Sequence, residues 1–189
     1  MNKLFTFILI AVFFVSCEDD LVKRTYTIKG VIGSEVWPVI INDNLIIKLI
    51  SDDQIIAVSN KREFQFDNLK EGENYSIVPE LDLPGKEGIS TLDMVKIDNY
   101  LLGTHPLDPF QKLAADVNMD DQINLEDKEL IRLCIVGGRC IASWRFVSPD
   151  YDGAGNGFVD QYVVTRLISD HEINFLPLKV GDVNNTINP

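Results

Sequence analysis

Cysteine and histidine are scarce in this chain, with three Cys and two His in 189 residues. No Cys/His cluster has the spacing of a zinc site, and three Cys are too few to build a disulfide scaffold. Neither His105 nor His171 stands near a G-x-S-x-G or Cys-His pattern. Paired glycosidase carboxylates cannot be singled out in so acidic a sequence, and the chain reads as non-catalytic. Basic side chains are also in short supply: 17 Lys+Arg against 29 Asp+Glu give a formal net charge of −12. A nucleic-acid duplex would repel such a protein, and the same balance disfavours docking on anionic lipid through a polybasic face. Long hydrophobic runs are missing too. The longest, Leu4 to Val15, falls short of the roughly 20 residues a spanning helix needs. What remains is 46% apolar and 24% charged residues, a composition that suits a packed core rather than disorder.

The short run is itself informative. Residues 1–16 read MNKLFTFILIAVFFVS, with Lys3 as the only charged side chain, and fit a signal-peptide hydrophobic region. Ser16-Cys17 closes the run. A small residue before Cys at this place resembles the lipobox of bacterial lipoproteins, in which the cysteine carries the lipid; an ordinary signal peptide with a chance Cys is the alternative. Acylation of Cys17 with two or more chains would anchor the chain stably to a membrane. Glu18-Asp19-Asp20 follows at once. It resembles the acidic signal that sends Bacteroidetes-type lipoproteins to the cell surface, and reads otherwise as the start of a solvated linker over residues 17–23.

Residues 24–81 carry strand signals: Tyr26 and Ile28 alternating with polar neighbours, Leu45 to Ile50, Ile55 to Val58, Phe64 to Phe66 and Tyr75 to Val78. Asn42-Asp43-Asn44, Ser51-Asp52-Asp53, Asn60-Lys61 and Glu71-Gly72-Glu73-Asn74 punctuate them. Short strands at this spacing predict a small antiparallel β-sandwich. The pattern F-x-F-x-x-L-x-x-G-x-x-Y-x-I-x-P over Phe64 to Pro79 resembles the last hairpin of prealbumin-like or Cna-B-like surface modules. Residues 139–189 return to strand character at Trp144 to Val147, Tyr162 to Val164 and Ile173 to Val180. They are too few for a core of their own and are expected to pack on the sandwich or on the helices as a C-terminal β extension.

Between these lies a segment, residues 82–138, whose apolar period is about 3.6. Residues 89–103 and 123–137 align at an offset of 34. Ser90 or Asn124 with Asp three places on marks a helix start, and Gly103 or Gly137 a stop. The stretch between the two helices is read as no second helix. Cys134 and Cys140 straddle Gly137-Gly138; in an oxidising envelope they form either a small disulfide or two buried thiols.

Asp116 to Asp127 precedes the second helix. Oxygen-bearing side chains fall at places 1, 3, 5, 9 and 12 as Asp116, Asn118, Asp120, Asn124 and Asp127, while Gln122 at place 7 offers its carbonyl. This is the ligand spacing of an EF-hand loop, and Ca²⁺ wants six to eight such oxygens; the other reading is that Asn124 and Asp127 merely cap the helix beside an acidic turn. Asp121 occupies place 6, where a left-handed turn favours Gly. The matching loop before the first helix, Asp82 to Asp93, has Pro84 and Lys86 at places 3 and 5. It retains only Asp82, Ser90 and Asp93 as possible ligands and reads as structural. Asp150 to Asp160 reads as a Gly-rich turn between strands or, with a poorer fit to the EF-hand spacing, as a second calcium loop, and Asp182 to Asn185 reads as a frayed tail that echoes the start of the good loop.

Paired loops ending in Asp, each followed by a helix that closes on a short apolar pair and Gly, resemble a type I dockerin over residues 82–138. Taken with the strand signals on either side, the expected fold is α+β: a small antiparallel β-sandwich with an inserted dockerin-like pair of helices and a C-terminal β extension. The loop spacing implies Ca²⁺, and the family resemblance implies protein–protein docking, often in polysaccharide-degrading assemblies. Carried onto this sequence, places 10 and 11 of the two loops would touch a cohesin-like partner through Thr91, Leu92, Leu125 and Glu126. Two other readings stand beside it. The helix pair packs only on its own chain, or the protein is a surface glycan binder using Trp37, Trp144, Tyr151 and Tyr162.

Overall fold

The structure is a computed structural model that describes residues 24–33, 44–82, 85–138, 140 and 144–186. The leader, Cys17, the acidic linker, Trp37 and Pro84 lie outside the described residues. Alternating apolar positions build the strands. In β1 (Thr25–Ile32), Ile28 and Ile32 point inward; in β2 (Leu45–Ser51), Leu45, Ile47 and Leu49 do. Asp52 and Asp53, both at positive φ (50° and 58°), form a tight turn into β3 (Gln54–Ser59), as the right-handed twist of a hairpin requires. β4 (Glu63–Lys70) and β5 (Tyr75–Leu81) follow. After the helices come β6 (Trp144–Val147), β7 (Tyr162–Val164) and β8 (His171–Lys179).

Among the described residues two four-stranded sheets result, in the orders β4-β1-β8-β6 and β3-β2-β5-β7. Their facing sides enclose a core that includes Ile28, Ile47, Phe64, Ile77, Phe146 and Phe175. With the three helices among the described residues, the arrangement is an α+β sandwich.

The topology corrects three expectations. First, the sandwich is not wholly antiparallel: β1 and β8 run parallel, with Ile28 beside His171 and Ile32 beside Phe175. Secondly, the late strands do not lie on a finished sandwich. β8 sits inside one sheet between β1 and β6, and β7 extends the other beside β5. Thirdly, Phe64 to Pro79 is no hairpin, because β4 and β5 belong to opposite sheets. The Tyr75 hydroxyl accepts the N–H of Lys70 at 3.0 Å and ties the corner where the chain changes sheet, much as a tyrosine does in other sandwiches.

The helices are α1 (Thr91–Leu101), α2 (Pro109–Ala115) and α3 (Leu125–Ile135). Ser90 and Asn124 cap α1 and α3 through complete capping boxes with Asp93 and Asp127. Gly103 and Gly137, just past their ends, take φ of 68° and 89°, a conformation that glycine adopts without penalty. α2 contradicts the reading of this stretch as non-helical. Asp108 caps it, Pro109 occupies its first turn and Gln111 completes the box. Ile97 and Ile131 meet in a second core that takes in Val180 and Val183, so the end of β8 runs directly into the helices. Cys134 and Cys140 are joined by a disulfide. No described helix is long and apolar enough to cross a membrane.

Candidate metal centre

The loop Asp116 to Asp127 connects α2 to α3 and is closed by its own backbone. Asp116, only 5% exposed, accepts the N–H of Asp120 on Oδ1 and that of Asp121 on Oδ2, both at 3.0 Å. Asp127, fully buried, accepts Val117 N–H at 2.7 Å and Asn118 N–H at 3.4 Å on Oδ1, and Asn124 N–H at 2.9 Å on Oδ2. The first and last acids of the loop thus clasp opposite strands of one turn. Asn118 Oδ1 accepts Asp120 N–H at 3.2 Å and its Nδ2 donates to Asp120 Oδ2 at 3.0 Å. Asp120 Oδ1 accepts Gln122 N–H at 2.9 Å, and Asn124 Oδ1 accepts Glu126 N–H at 2.7 Å. Asp121 turns left-handed at φ 63°, as does Met119 at 60°. Ile123 at place 8 is half-buried against the helix core.

All the sequence-predicted ligands therefore belong to one closed turn. Among the described residues, no three His, Cys, Asp or Glu side chains converge as a ready-made metal group. Both oxygens of Asp116 nonetheless keep a further acceptor site. The donor set is oxygen alone, which suits a hard cation and not zinc or copper. Lys128 bridges α3 to α1 through both oxygens of Asp98, at 2.6 and 2.7 Å.

No family model, curated protein or solved structure matches this chain.

The chain's own internal likeness is more instructive. Sequence reasoning placed Asp182 to Asn185 in a frayed tail, yet Asp182 is 1% exposed and Val183 is buried among the helices. Asn184 N–H donates to Asp93 Oδ1 at 2.9 Å. The signal was present in Asp182-Val183-Asn184, which repeats Asp116-Val117-Asn118. Asp93, from the first helix, stands to this segment as Asp127 stands to the first loop. Burial pushes the Asp93 carboxyl above its ordinary value, against the pull of the Asn184 and Ser90 N–H groups, and nearby Asp182 adds to the rise. Lys179 is 1% exposed and lies over the Trp144 ring at 5.4 Å. Burial lowers its ammonium pKa, while Glu87 and Asp182 oppose that change.

The four places proposed for a docking partner lie at the starts of α1 and α3 and face solvent. Thr91 and Glu126 are exposed, and Leu92 and Leu125 are 62% and 68% exposed. Of the aromatic side chains named for glycan binding, the three among the described residues, Trp144, Tyr151 and Tyr162, are used internally. Tyr151 packs edge-on against Phe110, Tyr162 against Phe158, and the Tyr162 hydroxyl lies 3.2 Å from His171 Nδ1. Trp144 is half-buried against the sandwich core.

Proposed function

We propose that this chain is a non-catalytic docking protein, held by a lipid on Cys17 at the outer membrane and facing the cell surface. Its dockerin-like helices are ordered by one Ca²⁺ in the loop Asp116 to Asp127. One observation carries the reading: two buried carboxylates, Asp116 and Asp127, clasp the loop from its two ends. Burying like charges is costly without a cation to collect them. The ion would stabilise the folded state by mass action and order the start of α3. Thr91, Leu92, Leu125 and Glu126 would then present the docking face to a cohesin-like protein, with polysaccharide handling as the setting.

The test is thermal unfolding of the purified protein with and without a chelator. EDTA should lower the melting temperature, added Ca²⁺ should restore it, and Asp116→Ala should lose most of that response. An identical melting curve in all conditions rejects the ion. Docking is tested apart from it: Leu92→Glu with Leu125→Glu should abolish cohesin capture at unchanged melting temperature.

A second reading is favoured by Val180 and Val183, which join the helix core to the end of β8. Here the helices pack only within their own chain. Protease protection of residues 82–138 with no external partner would support it.

A further inference from the structure

We propose a second Ca²⁺ site, assembled from two separated pieces of chain: residues 182–186, after β8, and residues 88–93, at the start of α1. The choice of ion rests on the reading of the first loop; the site itself does not.

The two places correspond residue by residue. Asp182 accepts the N–H of Thr186 on Oδ1 at 2.9 Å, as Asp116 accepts that of Asp120 at 3.0 Å. Val183 and Val117 are both buried in the same core. Asn185 is left-handed at φ 56°, as Met119 is at 60°. Asp93 and Asp127 are both fully buried and each completes the capping box of its own helix from the first turn. Asp93 receives the N–H of Asn184, and Asp127 receives that of Asn118. Ile89 and Ile123, four residues before those acids, rest on one core. The Thr186 hydroxyl donates to the carbonyl of Gly88 at 3.1 Å and so links the two pieces where the first loop has continuous chain.

A separate observation points to a missing ligand. Asn184 Oδ1 exposes less than 1 Å² and has no hydrogen-bond partner. A buried acceptor without a donor is costly. In the first loop the corresponding oxygen, that of Asn118, has one. A cation beside Asp93 would satisfy it. Asp182, Asn184, Thr186, Ser90 and Asp93, with the carbonyl of Gly88, supply the six oxygens that Ca²⁺ takes at minimum. This set holds two carboxylates where the first loop holds three, and the Lys179 ammonium lies near enough to act on Asp182. Fewer ligand charges mean weaker binding, so the second ion binds less tightly than the first.

Equilibrium dialysis of the full chain against Ca²⁺ alone tests this. Two ions per chain are expected. Asp182→Asn should weaken one of them at least about tenfold and leave the other unchanged. Asn184→Asp adds a carboxylate at the orphaned acceptor and should tighten the same ion about tenfold; it decides the matter if Asp182→Asn does not fold. A single ion that is lost in Asp116→Ala and indifferent to both other variants overturns the split site and leaves the first loop standing. A single ion that survives Asp116→Ala but responds to Asn184→Asp does the reverse. No uptake at all removes both.

Discussion

Asp127 combines three tasks in one carboxylate. It caps α3 through Asn124, holds the start of its own loop through Val117 and Asn118, and lies fully buried. Removing it leaves buried N–H groups without acceptors, each costing about 1–3 kcal/mol. Asp127→Ala should therefore lower metal-free stability by about 3 kcal/mol or more in urea titrations; Asp127→Asn, which keeps one acceptor oxygen, should lose less. Asp152 offers a contrasting case at the surface. It accepts the N–H groups of Ala154 and Asn156 at 2.7 and 3.1 Å, and these hold its carboxyl below the ordinary value of 3.8. A depressed carboxyl contributes stability that is present above the unfolded value and is lost as pH falls through the folded one. An NMR titration should place the midpoint of Asp152 below 3.8, and the turn at 152–156 should loosen only under stronger acid.

α1 and α3 were legible in the sequence because their caps and their apolar stripes agree. Ser90 with Asp93 and Asn124 with Asp127 set the starts, and Ile97 and Ile131 set the buried faces. α2 was not, although Asp108, Pro109 and Gln111 supply every start signal. At seven residues it is too short to announce itself by periodicity and depends on Ala114 packing against Val147 and Leu178. The residues 182–186 escaped notice for a related reason: their partner, Asp93, lies 91 residues from Asn184, and local spacing carries no information about it. The disulfide of Cys134 and Cys140 closes a short loop, with a sequence separation of 6, that begins in the last turn of α3. Loop-closure entropy for so short a span gives about 2 kcal/mol. Reduction should lower stability by that amount and raise hydrogen exchange in the last turn of α3 while the sandwich amides keep their protection.

β8 belongs to both cores. Ile173 and Phe175 fill the sandwich, Leu178 reaches α2, and the chain just beyond places Val180 and Val183 among the helices. The sandwich and the helices should consequently lose structure together. Phe175→Ala, at a fully buried site, should cost about 3–5 kcal/mol. Tryptophan fluorescence and far-ultraviolet circular dichroism should move in a single shared transition; helices melting first would show that β8 does not couple the two. The strand that makes the union is also where sequence reasoning failed most. Alternation predicted the existence of β8, but nothing local states that its neighbour is β1 or that the pair runs parallel.

That pairing has a consequence for how the polypeptide is born. Thr27 and Asp170, 143 residues apart, share a hydrogen bond beside the β1–β8 seam. Until the late strand emerges, β1 has one bare flank, the kind of template on which neighbouring copies assemble. Stalled or truncated chains should clump at concentrations where finished ones stay dispersed, and the delay before closure should make refolding slow, in the millisecond-to-second range of other far-paired β topologies.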